Sequence, residues 1–139
     1  MAVQRTLAIV KPDAISRGLL GEVLSAIHQA GLQIVTIESR RLTKAEAGGF
    51  YEVHRARPFF DDLTTFMSSG KLVAMVLEAE NAIARWRELM GATDPAKAAP
   101  GTLRHRFGTS IQNNCAHGSD SPASAEFEIG YFFAGRDLI

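Results

Sequence analysis

The segment Asn114-Cys115-Ala116-His117-Gly118-Ser119-Asp120-Ser121 concentrates side chains that could do covalent chemistry. Imidazole is the one side chain whose ordinary pKa, about 6.5, leaves a neutral nucleophilic nitrogen available near neutral pH. Gly118 admits positive φ and spares room beside the ring for a bulky group. Ser121 followed by Pro122 reads as an N-cap and first helical position, so His117 is expected just before a helix start. Such a start offers free N–H groups and a positive dipole end, both suited to phosphate. A histidine in a surface turn ahead of a capped helix is the plainer alternative.

Neither a phosphate-binding loop of the Gly-x-x-x-x-Gly-Lys type nor a Gly-x-Gly-x-x-Gly fingerprint occurs, so any nucleotide must be held by side chains. Lys11 closes a first apolar run where Pro12 ends strand pairing, and it reads either as a cleft lysine or as an exposed strand end. Arg87 falls in a predicted helix and Arg104 in a long connection; each alone reads as a solvated charge, yet the planar fork of Arg matches phosphate oxygens bidentately. Arg55, Arg57, Pro58, Phe59 and Phe60 put two cations and two aromatics on one bend. An outward phenylalanine there could stack on a base, worth about 1–3 kcal/mol and nearly blind to its identity. Tyr51 and His54, three apart, are expected on one helix face. Glu128, on the last predicted helix, could orient the His117 ring or simply face solvent.

These residues need a frame. Thr6–Lys11 reads as a buried strand, and Leu20, Val23, Leu24 and Ile27 make the apolar stripe of a helix over Gly18–Ala30, closed by Gly31. Leu32–Leu42 alternates as a second strand, and Thr43 with Glu46 forms a capping box for a helix. A further helix over Phe59–Ser69, a third strand over Leu72–Glu78 and a helix over Asn81–Met90 follow. Residues 91–113, punctuated by Pro95, Pro100, Gly101 and Gly108, read as one long functional loop. A brief fourth strand before Gly118 and a helix from Pro122 to about Ile129 complete the order. The pattern implies an α+β fold: a ferredoxin-like antiparallel sheet (βαββαβ) with helices packed on one face, an inserted helical pair and a long active-site loop.

A chain of 139 residues is one domain by length, and at this size roughly two-thirds of the unfolded surface can be buried without metal or disulfide. Fifteen basic residues balance fifteen acidic ones, which argues against a nucleic-acid binder or a polybasic membrane module. Cys115 is the lone cysteine and reads as a small buried hydrophobe. The apolar run Leu7–Val10 is too short for a signal or spanning segment, so a soluble cytoplasmic protein without a membrane partner is expected. The four histidines, His28, His54, His105 and His117, lack ligand spacing for a metal-dependent hydrolase. An RNA-binding module would display aromatics on its strands, and TLAIVK and LVAMVLE carry none.

The whole chain resembles nucleoside diphosphate kinase. The likeness is carried by Thr6-Leu7-Ala8-Ile9-Val10-Lys11-Pro12-Asp13, Arg57-Pro58-Phe59-Phe60, Met90-Gly91-Ala92-Thr93-Asp94-Pro95 and Gly101-Thr102-Leu103-Arg104, then by Asn114–Ser121 and Glu126-Phe127-Glu128-Ile129-Gly130. The resemblance implies one kinase domain over residues 1–139 that keeps nucleoside triphosphate pools supplied. It implies that His117 takes the γ-phosphoryl of a nucleoside triphosphate such as ATP on Nδ1 and passes it to a diphosphate, a ping-pong route. Glu128, supported by Ser119, would position the ring. Lys11 would contact the sugar 3′-OH and terminal phosphate, with Tyr51 beside the transferring group and His54 near the α-phosphate. Arg87, Thr93 and Arg104 would hold the β- and γ-phosphates, and Asn114 the ribose hydroxyls. Phe59 would stack on the base with Ile111 on its other face, and Leu63 joins this substrate-binding set. Mg²⁺ would be held mainly by phosphates and water, with no protein metal ligands. A homo-oligomer built on dimers, tetramer or hexamer, is implied. The chain departs from the family at His105 and Arg106, where a small and then an acidic residue are usual; this adds positive charge near a loop that the family uses in subunit contacts.

Overall fold

The computed structural model describes residues 3–139. Its strands are β1 (Val3–Val10), β2 (Gln33–Arg40), β3 (Leu72–Glu80) and β4 (Ala116–Gly118). Its helices are α1 (Pro12–Ser16), α2 (Leu20–Gln29), α3 (Lys44–Phe50), α4 (Phe60–Met67), α5 (Ala82–Met90), α6 (Leu103–Phe107) and α7 (Pro122–Phe132). Single 3-10 turns occupy Glu52–His54, Pro95–Lys97 and Gly135–Leu138. The sheet runs β2-β3-β1-β4 with every pairing antiparallel, the ferredoxin-like order, and α3 and α4 form the inserted helical pair.

Helices cover both faces of the sheet, not one. Ala8, Val10, Met75 and Leu77 pack against Val23 and Ile27 of α2 and Trp86 and Met90 of α5. Leu7, Ile9, Ala74 and Val76, of opposite parity, pack against Phe50 of α3, Met67 of α4 and Phe132 of α7. The physical reason lies in β1 and β3: both parities are apolar over Leu7–Val10 and Leu72–Leu77, and a stretch buried on two faces has no polar side to offer water. β2, at the edge, alternates more loosely and carries a register shift between Ile34 and Thr36.

Local signals account for the helix ends. Thr43 Oγ1 accepts from Glu46 N at 3.1 Å while Thr43 N donates to Glu46 Oε1 at 2.8 Å, a closed capping box at the start of α3. α3 ends at Phe50, so Tyr51 lies at the junction and His54 on the following 3-10 turn, not on one α-helical face; their rings still stack, with centroids 6.3 Å apart. The stretch 91–113 is not one loop: it contains the Pro95–Lys97 turn and α6, whose N-cap Thr102 accepts from His105 N. No helix among the described residues is long and apolar enough to cross a membrane.

Candidate functional site

His117 stands on β4, opposite Ile9 of the central strand β1. Directly paired residues share a sheet face, so the imidazole points to the side covered by α3 and α7. It meets the rings of Phe50 and Tyr51 edge-on, at 5.3 and 5.9 Å between centroids. Glu128 of α7 reaches it from behind: Nε2 lies 2.8 Å from Glu128 Oε1, and Ser119 Oγ donates to the same oxygen at 2.9 Å. Ser119 is itself fixed, accepting from Leu7 N at 3.3 Å in a fully buried position. With Nε2 committed to a carboxylate, the neutral ring carries its proton there and Nδ1 keeps a free lone pair.

Gly118 serves a different purpose from the one its flexibility suggests. It does not adopt positive φ; a Cβ there would lie 2.5 Å from Trp86 Cδ1 and 2.6 Å from Met90 Cε. The missing side chain lets α5 close on the strand, and Trp86 Nε1 donates to the His117 carbonyl at 3.0 Å. The start of α7 does not line the cavity that His117 shares with Lys11 and Arg104. Ser121 Oγ accepts from Ser124 N at 3.1 Å, and these residues line a neighbouring cavity of about 580 Å³ that shares His117 with the first.

The cavity that His117 shares with Lys11 and Arg104, about 430 Å³, gathers residues from distant parts of the chain. His117, Tyr51 and Lys11 line it, Arg87 and Arg104 bring guanidinium groups, and Thr93, Asn114 and His54 add polar groups. Phe59, Leu63 and Ile111 supply apolar surface, with Phe59 at 48 % and Ile111 at 61 % exposure free to meet a flat ligand. Glu128 and Ser119 stand behind His117 and do not line this cavity. Gln112 lines it without having been singled out by any motif, and Phe50 and Trp86, which hold the histidine, likewise lacked a local signal beyond being aromatic.

Arg104 is not a solvated surface charge. At 7 % exposure on α6, it donates from Nη1 to the Gly91 carbonyl at 2.9 Å and from Nη2 to the Ala116 carbonyl at 2.8 Å. Gly91, at φ 87, turns the chain out of α5 and presents that first carbonyl. Lys11, also 7 % exposed, donates to Asn114 Oδ1 at 2.8 Å, and Asn114 Nδ2 donates to the Thr93 carbonyl at 3.0 Å.

Burial, aided by nearby Arg104, brings the Lys11 ammonium down to about 8, and burial with nearby Arg87 brings Arg104 down to about 10. Burial, then the Glu128 carboxylate, raises the Tyr51 hydroxyl. Arg104 Nε and Tyr51 Oη are buried without any hydrogen-bond partner, although buried polar groups are nearly always paired. The cavity therefore holds cations and donors with too few acceptors, an arrangement fitted to a polyanion. Its lining contains no carboxylate, and among the described residues no cluster of His, Cys, Asp and Glu is set to hold a metal ion.

The model of the nucleoside diphosphate kinase family matches residues 4–138. The chain is 57 % identical over 136 residues to the nucleoside diphosphate kinase of Desulfovibrio desulfuricans, covering 98 % of each chain. It is 58 % identical over 137 residues to that of Geotalea uraniireducens, covering 99 % of this chain and all of the relative. Among solved structures, the nucleoside diphosphate kinase of Aquifex aeolicus superposes with a TM-score of 0.97 at 50 % identity, covering 99 % of this chain and 100 % of that one. The Halobacterium salinarum nucleoside diphosphate kinase, solved in complex with CDP, gives 0.95 at 39 % identity over 99 % of this chain and 92 % of its own. The same antiparallel sheet, with the His-Gly-Ser-Asp segment starting on its short strand, accompanies an unbroken likeness along the chain, which belongs to the nucleoside diphosphate kinase family and transfers phosphoryl groups between nucleotides.

Proposed function

We propose that the transfer follows a ping-pong route through a phosphohistidine on Nδ1 of His117. The observation that carries this reading is the Glu128 contact on Nε2 at 2.8 Å, which leaves Nδ1 beside a cavity containing buried, underpaired cations. Nδ1 attacks the γ-phosphorus of a nucleoside triphosphate such as ATP; the N–P bond forms as the bond to the β,γ-bridging oxygen breaks, and the diphosphate leaves. A terminal oxygen of the incoming diphosphate then attacks the same phosphorus and the N–P bond breaks. The Nε2 proton stays against Glu128 throughout, so the ring's positive charge in the phosphorylated state meets a carboxylate.

In this reading Arg104, Arg87 and Thr93 hold the β- and γ-phosphates, Tyr51 donates beside the moving group, and His54 lies near the α-phosphate. Lys11 takes the sugar 3′-OH and terminal phosphate, and Asn114 the ribose hydroxyls. Phe59, Leu63 and Ile111 sandwich the base. Binding of CDP by the halobacterial relative supports a nucleotide in this cavity. The family uses a divalent metal, and Mg²⁺ carried in on the phosphates would offset their charge; a lining of cations without carboxylates fits a metal that arrives with its ligand.

The reading includes one functional domain over residues 1–139, a cytoplasmic site of action where nucleotide pools are held, and a homo-oligomer built on a two-fold dimer, tetramer or hexamer. The edge position of β2, with Ile37 at 45 % exposure, supports pairing between copies there. The central test is His117→Ala with labelled ATP. An acid-labile, base-stable phosphoprotein should form on the unaltered chain and vanish in the variant, with nucleotide binding kept. Labelling of the variant at the unaltered rate would end the proposal.

A further inference from the structure

The structure assigns to Asp13 the role of a positioning residue: its carboxylate clamps a strained turn at Cys115 and thereby sets Asn114 and His117 on either side of that turn. Cys115 has φ 77 although it is not glycine, and Ala116 N donates back to the Asn114 carbonyl at 2.9 Å. A two-residue hydrogen bond around a positive φ is the rare, strained form of γ-turn. Such a conformation is costly and persists only where its surroundings over-determine it.

Three contacts do so. Cys115 N donates to Asp13 Oδ2 at 3.1 Å, the Cys115 carbonyl accepts from Lys11 N at 2.9 Å, and the Cys115 side chain is fully buried in the core shared with α2 and α5. Of these, only the first is a side-chain hydrogen bond, and it spans from the first turn of α1. Asp13 does not line the nucleotide cavity, so its effect there passes through the turn or through its charge, which favours the Lys11 ammonium; Asp13→Asn, which keeps the acceptor and removes the charge, separates the two. The consequences lie at both ends of the turn. Asn114, just before Cys115, bridges Lys11 Nζ and the Thr93 carbonyl, while His117 follows two residues after it on β4. Burial pushes the Cys115 thiol up to about 11, consistent with a side chain shut away by the closed turn.

The positioning role rests on the nucleotide reading of the cavity, but part of its test needs no turnover. Cys115 is the only cysteine, so the rate at which the folded protein reacts with a disulfide reagent reports directly on the turn. For Asp13→Ala we expect thiol modification to speed up, and kcat/KM for transfer to fall, each by about tenfold or more. Asp13→Asn keeps an oxygen that can accept from Cys115 N and should recover most of both. Arg5→Ala, which removes the ties to Glu78 and to the Leu138 carbonyl far from the turn, controls for loss of stability. If Asp13→Ala loses thermal stability as Arg5→Ala does while thiol protection and kcat/KM stay unchanged, the inference is overturned. Should Asp13→Ala fail to fold, Asp13→Ala with Cys115→Gly carries the test, because glycine takes this φ without strain. The double variant should stay within about threefold of Cys115→Gly alone, and a gap of about tenfold or more would refute the clamp. Failure of the phosphohistidine route would show in His117→Ala labelling and leave thiol protection by Asp13 unaltered, so the two ideas fail separately.

Discussion

Replacing Lys11 with methionine removes a charge that the fold keeps 7 % exposed and whose pKa burial and Arg104 lower from 10.5 to about 8. At about 1.4 kcal/mol per pH unit, that difference corresponds to roughly 3 kcal/mol of destabilisation while the ammonium stays protonated in the fold. The sign follows from proton counting. Between pH 8 and 10.5 the unfolded chain holds the Lys11 proton and the folded chain has released it, so stability rises with pH across that window. Below about 8 the full penalty applies. Methionine has a similar apolar stem and no proton to lose, so the variant lacks both the penalty and the slope. It also loses the bond from Nζ to Asn114 Oδ1, worth about 1 kcal/mol for the neutral amine; the extra strength of that bond in the ammonium form is already part of the balance that sets the pKa.

The measurement is urea unfolding of the two proteins at half-unit steps from pH 7 to 10, read as the difference in unfolding free energy. Groups common to both proteins cancel in the difference. The relative advantage of Lys11→Met should be greatest near pH 7 and shrink by about 2.5 kcal/mol by pH 10. A difference that stays flat from pH 8 to 10 would refute the account of Lys11 as a charge held dry. The same protonation predicts function: kcat/KM of the unaltered protein should fall as pH climbs through about 8, where the free protein loses this cation. Lys11→Met should be inactive or nearly so while more stable at neutral pH, a stability cost accepted for a preorganised phosphate contact.

Gly118→Ala should destabilise by about 2–4 kcal/mol, because its Cβ overpacks against Trp86 and disturbs the bond to the His117 carbonyl; calorimetry that finds an unchanged Tm would contradict this. Arg104→Ala should lower kcat more than it weakens diphosphate binding, whereas the exposed Arg87→Ala should weaken binding of both substrates. If steady-state kinetics show only KM effects for both, Arg104 has no role specific to the transition state. ATP, GTP, CTP and dTTP should all serve as donors, with kcat/KM values within about two orders of magnitude and purines ahead, since stacking on Phe59 is nearly blind to base identity. A preference wider than that would point to an edge contact, and Gln112 is the lining residue able to make one.

Much of the frame was legible because its signals are local. The capping box at Thr43, the apolar stripe of α2 and the stop of α5 at Gly91 each lie within a few residues, and the structure reproduces them to within one or two positions. The expectation of one covered face fails at β1, whose own apolar run carries the opposite signal. Leu7, Ala8, Ile9 and Val10 leave no polar parity on β1, and only a two-layer cover buries all four. Helices α1 and α6 escaped because five residues cannot display a period; Pro12 at the first position of α1 and Thr102 as the N-cap of α6 were their only marks.

The site was legible as chemistry before it was legible as geometry. The residue types at Lys11, Arg104, His117 and Glu128 suit phosphate handling, but their joint use came from the family pattern, because each taken alone reads as an ordinary polar residue. What no local pattern carries is burial that depends on distant partners. Arg104 is an ordinary loop arginine by sequence; it becomes a dry cation because the Gly91 and Ala116 carbonyls fix its two terminal nitrogens and leave Nε without a partner. The turn at Cys115 is hidden for a related reason. A glycine would have advertised positive φ, whereas a cysteine does so only once Asp13 and Lys11 hold its backbone. Strain and dry charge are both states that a residue's own preferences oppose, so they arise where tertiary contacts overrule local propensity, and here both fall beside the histidine.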